Sequence, residues 1–135
     1  MPTSKVIYNG DLRTTCIHLL SNTSIITDAP LDNHGKGEAF SPTDTVATAL
    51  AACMFTVMAI KAKDLNIDFK NSTAEVTKIM ASEPRRISEI HIIFYMNISV
   101  DDKTKTILER TAMTCPVIES LHPQINKEIN FNWNS

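Results

Sequence analysis

The stretch from Ser41 to Lys63, SPTDTVATALAACMFTVMAIKAK, decides the fold because it carries the longest helical pattern in the chain. Ser41 is a favourable N-cap, Pro42 suits the first helical position, and Asp44 stands where a carboxylate can bond back to the cap. Two lysines follow at the other end, where positive charge favours the C-terminal end of the helix dipole. We therefore predict one long helix that begins directly after Ser41.

Apolar residues recur through this helix at spacings of three and four, which predicts one buried face. The predicted face consists of Val46, Ala49, Leu50, Cys53, Val57 and Ile60. The helix is apolar over most of its circumference, as helices in a core or at a subunit interface are. Its most apolar part, residues 46–60, is shorter than the roughly 20 residues of a membrane span, so we expect no membrane partner.

Around this helix, alternation and turn residues predict three short strands before it and two strands, two helices and a strand after it. The predicted strands cover residues 6–8, 14–20, 24–27, 72–80, 87–100 and 125–133, and the later helices cover about 102–113 and 117–121. Residues 29–40 form a loop of a length that is often functional. The order βββ–α–ββ–αα–β predicts an α+β fold, one domain over residues 1–135 with a sheet wrapped around the central helix. Edge strands and the apolar helix also favour a homodimer.

Composition argues against several classes of function. Lys and Arg number 13 against 15 Asp and Glu, and the net charge of −2 without basic clusters predicts no nucleic-acid partner. The beginning MPTSKVIYNG has no apolar run after its lysine, so we expect a cytoplasmic protein without a signal peptide. No CxxC pair, zinc-finger His/Cys spacing or nucleotide-binding glycine motif occurs in the sequence, so we expect no nucleotide chemistry.

Cys53 and Cys115 are the candidate reactive thiols, and Cys16 is predicted to be structural. A cysteine on an apolar helix face is usually a small hydrophobe, and a mid-helix position gives Cys53 no help from the helix dipole. Cys115 precedes Pro116 at a predicted helix start, where free N–H groups favour a thiolate. We hypothesise that Cys53 and Cys115 meet in the fold and do redox chemistry; two inert core thiols are the alternative.

Arg13 is the candidate cation, since it begins the second predicted strand, where it can point over the helix. An arginine held by a carboxylate can lower a thiol pKa and bind a peroxide oxygen. Glu38 and Asp44 are the carboxylates nearest the helix start, although capping alone also accounts for Asp44.

Three motifs together resemble the OsmC/Ohr family, and more narrowly its OsmC-like branch. They are TDAPLDNHGKGEAFSPTD over Thr27 to Asp44, PRRI over Pro84 to Ile87 and TCPVIESLHP over Thr114 to Pro123. The resemblance covers nearly the whole chain. It implies an intertwined homodimer with the central helices packed between two sheets, and no metal or bound cofactor.

The resemblance also implies a thiol peroxidase with an antioxidant role in stress response. Cys53 matches the cysteine that attacks an organic hydroperoxide and becomes a sulfenic acid, and Cys115 matches the cysteine that resolves it as a disulfide. An external dithiol then reduces that disulfide by exchange. Arg13 matches the arginine that assists in family members. The alternative is a non-enzymatic dimer that binds a small molecule or senses redox state.

The chain departs from the family pattern at the first turn of the helix. Hydroperoxide-reducing members carry a glutamate ten residues before the first cysteine, whereas Thr43 stands there in this chain and Asp44 follows it. Asp44 or Glu38 is therefore the expected substitute for the family carboxylate.

Overall fold

A computed structural model describes residues 1–134 and confirms the order βββ–α–ββ–αα–β. The elements are β1 Ser4–Gly10, β2 Arg13–His18, β3 Ser24–Asp28, α1 Pro42–Asp64, β4 Thr73–Ala81, β5 Arg86–Met96, α2 Asp102–Ala112, α3 Pro116–Ser120 and β6 Asn126–Trp133, with a short 3₁₀ helix at Leu31–Asn33. In the described part of the chain the strands form two three-stranded sheets, β1-β2-β3 and β4-β5-β6, where the sequence predicted one sheet. Two compact units are distinguished, Met1–Val46 and the part from Ala47 onward, and the single domain stays a prediction.

The first unit is an antiparallel meander followed by the loop and the start of α1. Backbone positions with positive φ at Gly10, Asp11 and Leu12 turn β1 into β2. The predicted end of β2 at residue 20 is wrong, because the chain leaves the strand after His18 and turns through residues 19–23. In the β2–β3 pairing, Arg13 lies opposite Asp28.

In the second unit, α1 buries a face that is displaced from the predicted one. Its buried residues are Ala47, Leu50, Ala51, Met54, Met58 and Ala62. Only Leu50 is common to both sets, whereas Cys53 and Val57 are half-buried and Ile60 is 64% exposed. The prediction failed because a helix that is apolar nearly all round offers no polar face to fix its orientation.

The sheet β4-β5-β6 carries the partners of that helix. β4 and β5 form the predicted antiparallel hairpin, and β6 pairs with β5 in parallel. The predicted alternation in β5 is confirmed, with Ile90, Ile92, Phe94 and Met96 buried. The strand ends at Met96, four residues before its predicted end. The ring of Phe94 meets Phe55 of α1 edge-on, with 4.9 Å between centroids.

The start of α1 is capped as the sequence predicts. The Ser41 N–H donates to Asp44 Oδ2 at 2.9 Å, and the Asp44 N–H donates to Ser41 Oγ at 3.1 Å. The helix is long and apolar enough to cross a membrane by length and composition alone. Six residues of this helix are buried in the hydrophobic core, and a core helix can meet the same length and composition criteria as a membrane span.

Candidate active site

Cys53 and Cys115 come together within the second unit. Cys53 is half-buried at the margin of the buried face of α1, and Cys115 is the fully buried N-cap residue of α3. The two thiols are close enough for Cys53 to raise the pKa of Cys115, and both are free.

The surroundings of Cys115 keep its thiol protonated. Burial is the largest cause that raises the pKa of Cys115, and the contact with Cys53 raises it further. The Ile118 N–H donates to Cys115 Sγ at 3.3 Å and acts in the opposite direction, as does the Val117 N–H. The expected thiolate-favouring effect of the helix start is therefore present but outweighed by desolvation.

Cys53 is the more accessible of the two sulfur atoms. It is half-buried, whereas Cys115 has no exposed surface. Its exposed neighbours on α1, Ala49, Ala52 and Thr56, have small side chains. Within the second unit of a single chain, a small electrophile can therefore approach Cys53 without displacing a large side chain.

The first unit holds a separate cluster around Arg13. Its Nε donates to Asp28 Oδ1 at 2.7 Å and its Nη2 donates to Asp28 Oδ2 at 2.8 Å, a side-on bidentate pair. Nη2 also donates to Glu38 Oε1 at 3.0 Å, and the Glu38 backbone N–H donates to Asp28 Oδ2 at 3.2 Å. Asp28 is 1% exposed, whereas the Glu38 side chain lies mostly in solvent.

Charge pairing fixes the ionisation of this cluster. The hydrogen bonds from Arg13 are the largest cause that lowers the pKa of Asp28, against an opposing effect of burial. The pKa of Arg13 is raised, chiefly by the hydrogen bond to Asp28. The pair is thus a fully charged guanidinium–carboxylate pair at neutral pH.

Asp28 was not among the carboxylates predicted from the sequence. Of the two that were, Glu38 contacts Arg13, and Asp44 makes the reciprocal cap of α1. Thr43, at the position of the expected glutamate, places its hydroxyl 3.3 Å from Ser41 Oγ. The signal that identifies Asp28 is its register opposite Arg13 in the β2–β3 pairing.

A cleft beside α1 lies away from Cys53 and Cys115. Residues 1–134 contain no cluster of three or more His, Cys, Asp or Glu side chains that could hold a metal ion. A cleft of about 380 Å³ opens beside α1, with an apolar floor that includes Phe55, Ala59 and Phe69 and a polar rim that includes Lys70. Neither thiol lines that cleft.

The chain matches the profile of the family described as OsmC-like protein over residues 35–130. It belongs to the OsmC-like protein family. A crystal structure from Psychrobacter arcticus 273-4, named for an osmotic stress induced and detoxification response, is 59% identical, with 98% of this chain and 96% of that chain covered and a TM-score of 0.95. A search of functionally curated proteins gives no match.

More distant structures share the fold of this OsmC-like chain. The OsmC-like protein of Mycoplasma pneumoniae is 18% identical with a TM-score of 0.81, covering 98% of this chain and 96% of that one. The organic hydroperoxide resistance protein of Bacillus subtilis is 17% identical with a TM-score of 0.70, covering 97% and 98%. These similarities confirm the α+β, OsmC-like fold.

Proposed function

We propose that this OsmC-like protein is a thiol-dependent peroxidase of organic hydroperoxides. The observation that carries the proposal is that a half-buried Cys53 lies near a fully buried Cys115, both as free thiols. The family contains structural neighbours named organic hydroperoxide resistance proteins, which supports the choice of substrate class.

The reaction divides into an oxidation and a resolution. The Cys53 thiolate attacks the outer oxygen of the hydroperoxide, the O–O bond breaks, and the departing alkoxide takes a proton from water. The products are a Cys53 sulfenic acid and an alcohol. The Cys115 thiol then attacks the Cys53 sulfur, a disulfide forms, and water leaves. A dithiol returns both cysteines to the reduced state and is itself oxidised to a disulfide. Because the two thiols lie near each other, Cys115 needs to move only a short distance to attack the Cys53 sulfenic acid.

The Arg13 cluster is proposed to assist the oxidation. A guanidinium fixed by a carboxylate offers N–H donors that stabilise charge developing on a peroxide oxygen. In the first unit, Asp28 holds Arg13 by two hydrogen bonds and Glu38 adds a third, whereas Asp44 is assigned to the helix cap. Arg13→Lys should lower kcat/KM for an organic hydroperoxide by roughly a hundredfold, the scale of a lost oxyanion donor.

Turnover measurements with a dithiol test the proposal directly. Cys53→Ser should reduce organic hydroperoxide consumption to the uncatalysed rate, and Cys16→Ser is the matched control that should keep it. Cys115→Ser should leave a Cys53 sulfenic acid that dimedone traps, because the resolving thiol is gone. Wild-type turnover in Cys53→Ser would rule the mechanism out. Rates measured side by side with hydrogen peroxide and an organic hydroperoxide show which of the two classes of peroxide the protein prefers.

We extend the proposal to a cytoplasmic homodimer. The outer side of α1 exposes apolar residues such as Ile60, and the N-terminal sheet exposes Val6, Tyr8 and Ile25. Exposed apolar surface of this extent is typical of an interaction site. A second copy of the chain is the partner proposed for it.

A small-molecule-binding function is the second candidate, favoured by the apolar cleft beside α1. Its floor includes Phe55, Ala59, Ile67 and Phe69, and Asp68 and Lys70 are among its polar lining residues. Saturable binding of a fluorescent fatty acid that Ala59→Trp abolishes, in a protein without peroxide consumption, would establish this function in place of catalysis.

A further inference from the structure

The two sulfur atoms of the candidate site differ in access, and this difference bears on how a disulfide between them would be reduced. Cys115 is buried in the same core cluster as Leu108 and Ala112, with no exposed surface. Cys53 is half-buried on α1, beside the exposed residues Ala49 and Ala52. Only the Cys53 sulfur can therefore be reached without opening the core of its own chain.

The direction of attack in thiol–disulfide exchange makes this difference decisive. The attacking thiolate approaches one sulfur on the side opposite to the sulfur that leaves. An attack on Cys53 starts from outside the core, with Cys115 leaving into the core. An attack on Cys115 would start from the core itself, among side chains that are packed to high density.

The surroundings of Cys115 also suit a leaving group. Its Sγ accepts the Ile118 N–H at 3.3 Å, and a hydrogen bond from an N–H strengthens when the acceptor becomes negative. Burial acts in the opposite direction, since it raises the pKa of Cys115 and slows departure. The Ile118 N–H reduces the cost of placing negative charge on a buried sulfur.

We infer that the external dithiol attacks Cys53, and that Cys115 leaves, when the Cys53–Cys115 disulfide is reduced. A bond forms between the first dithiol sulfur and Cys53, the Cys53–Cys115 bond breaks, and Cys115 keeps the electron pair and takes a proton. The second dithiol sulfur then attacks the first, Cys53 is released, and the dithiol becomes a disulfide. Two electrons pass from dithiol to protein. The inference rests on the disulfide of the proposed function.

A monothiol probe distinguishes the two directions, because it stops after the first step. The Cys16→Ala protein, which lacks the third thiol, is oxidised with diamide rather than a peroxide and then exposed briefly to glutathione. The mixture is quenched in acid, free thiols are blocked with N-ethylmaleimide, and the Cys53 and Cys115 peptides are mapped by mass spectrometry. We expect glutathione on Cys53 and N-ethylmaleimide on Cys115, in excess over the reverse by about tenfold or more.

The outcomes separate this inference from the proposed function. Equal labelling, or glutathione mainly on Cys115, overturns the inference while peroxide turnover stands. Glutathione on Cys53 in a protein that does not consume hydroperoxide supports the inference and contradicts the proposed function. If diamide forms no disulfide between the two cysteines, both are overturned.

A pair of variants tests the role of the backbone donor separately. Ile118→Pro removes the N–H that contacts Cys115, and Ile118→Ala keeps it while removing the side chain. Circular dichroism checks that both variants fold. Reduction of the disulfide should be slower in Ile118→Pro than in Ile118→Ala. Equal rates would show that the Ile118 N–H does not assist the departure of Cys115. The adduct map of the Cys16→Ala protein is measured without either variant, so it still tests which sulfur is attacked.

Discussion

Arg13 illustrates how much a single pairing depends on where a strand turns. The guanidinium is held by Asp28, which lies opposite it in the β2–β3 register. The predicted strands covered residues 14–20 and 24–27, so Arg13 and Asp28 both lay just outside them and their pairing was not predicted. The chain turns earlier, through residues 19–23. An error of about two residues in a turn is enough to hide a partner in an antiparallel pair.

The ionisation of Asp28 makes acid stability a test of this pairing. Its pKa in the folded chain lies below the ordinary value of 3.8, so the unfolded chain binds more protons below that pH. The stabilisation is present above pH 3.8 and is lost as the pH falls through the folded pKa. Urea unfolding between pH 2.5 and 6 should show a steeper loss of unfolding free energy in wild type than in Asp28→Asn. Glu38→Gln, at an exposed partner, should resemble wild type; a steep loss retained in Asp28→Asn would contradict the assignment.

The two thiols make a second prediction at the scale of single residues. Burial and the contact with Cys53 raise the pKa of Cys115, and its sulfur is enclosed. Because a raised pKa lowers the thiolate fraction and burial blocks the reagent, iodoacetamide at pH 8 should modify Cys115 more slowly than Cys53, by about tenfold or more. Mass spectrometry over a time course measures both rates in one sample. Faster modification of Cys115 would show that the core around it opens readily.

The elements differ in how well local sequence determines them. The start of α1 was predictable, because Ser41, Pro42 and Asp44 are side chains whose capping chemistry is local. The buried face of α1 was not, because its choice depends on what the sheet β4-β5-β6 presents. β5 was predicted too long, since its alternating pattern continues beyond Met96 to residues that leave the sheet. Patterns therefore located these elements, and tertiary contacts set their ends and faces.

The cap of α1 gives a prediction at this scale. Ser41 is 2% exposed and its hydroxyl accepts the Asp44 N–H, so Ser41→Ala removes one capping bond at a buried position. We expect a loss of about 1 kcal/mol in the free energy of unfolding, measured by urea denaturation. Thr56→Ala, on the exposed side of the same helix, is the control and should change stability by less than about 0.5 kcal/mol. Equal effects of both changes would show that the Ser41 cap does not contribute measurably to stability.

At the scale of the whole molecule, the exposed apolar surface of the single chain predicts a homodimer. Ile60 on α1 is 64% exposed, and the N-terminal sheet exposes Val6 and Tyr8 by similar amounts. If a second copy covers these surfaces, light scattering should give about 30 kDa, twice the 15.0 kDa of one chain.

A charge placed on the outer side of α1 should then disrupt the dimer. Ile60→Lys puts an ammonium group into a surface that the partner would desolvate, so the mass should shift towards that of one chain. Lys63→Ala, exposed one turn further along, is the matched control and should stay dimeric. A wild-type mass of one chain would exclude the homodimer and leave the exposed face of α1 to a different partner. If Ile60→Lys loses peroxide turnover as well as dimerisation, the active site needs both copies of the chain.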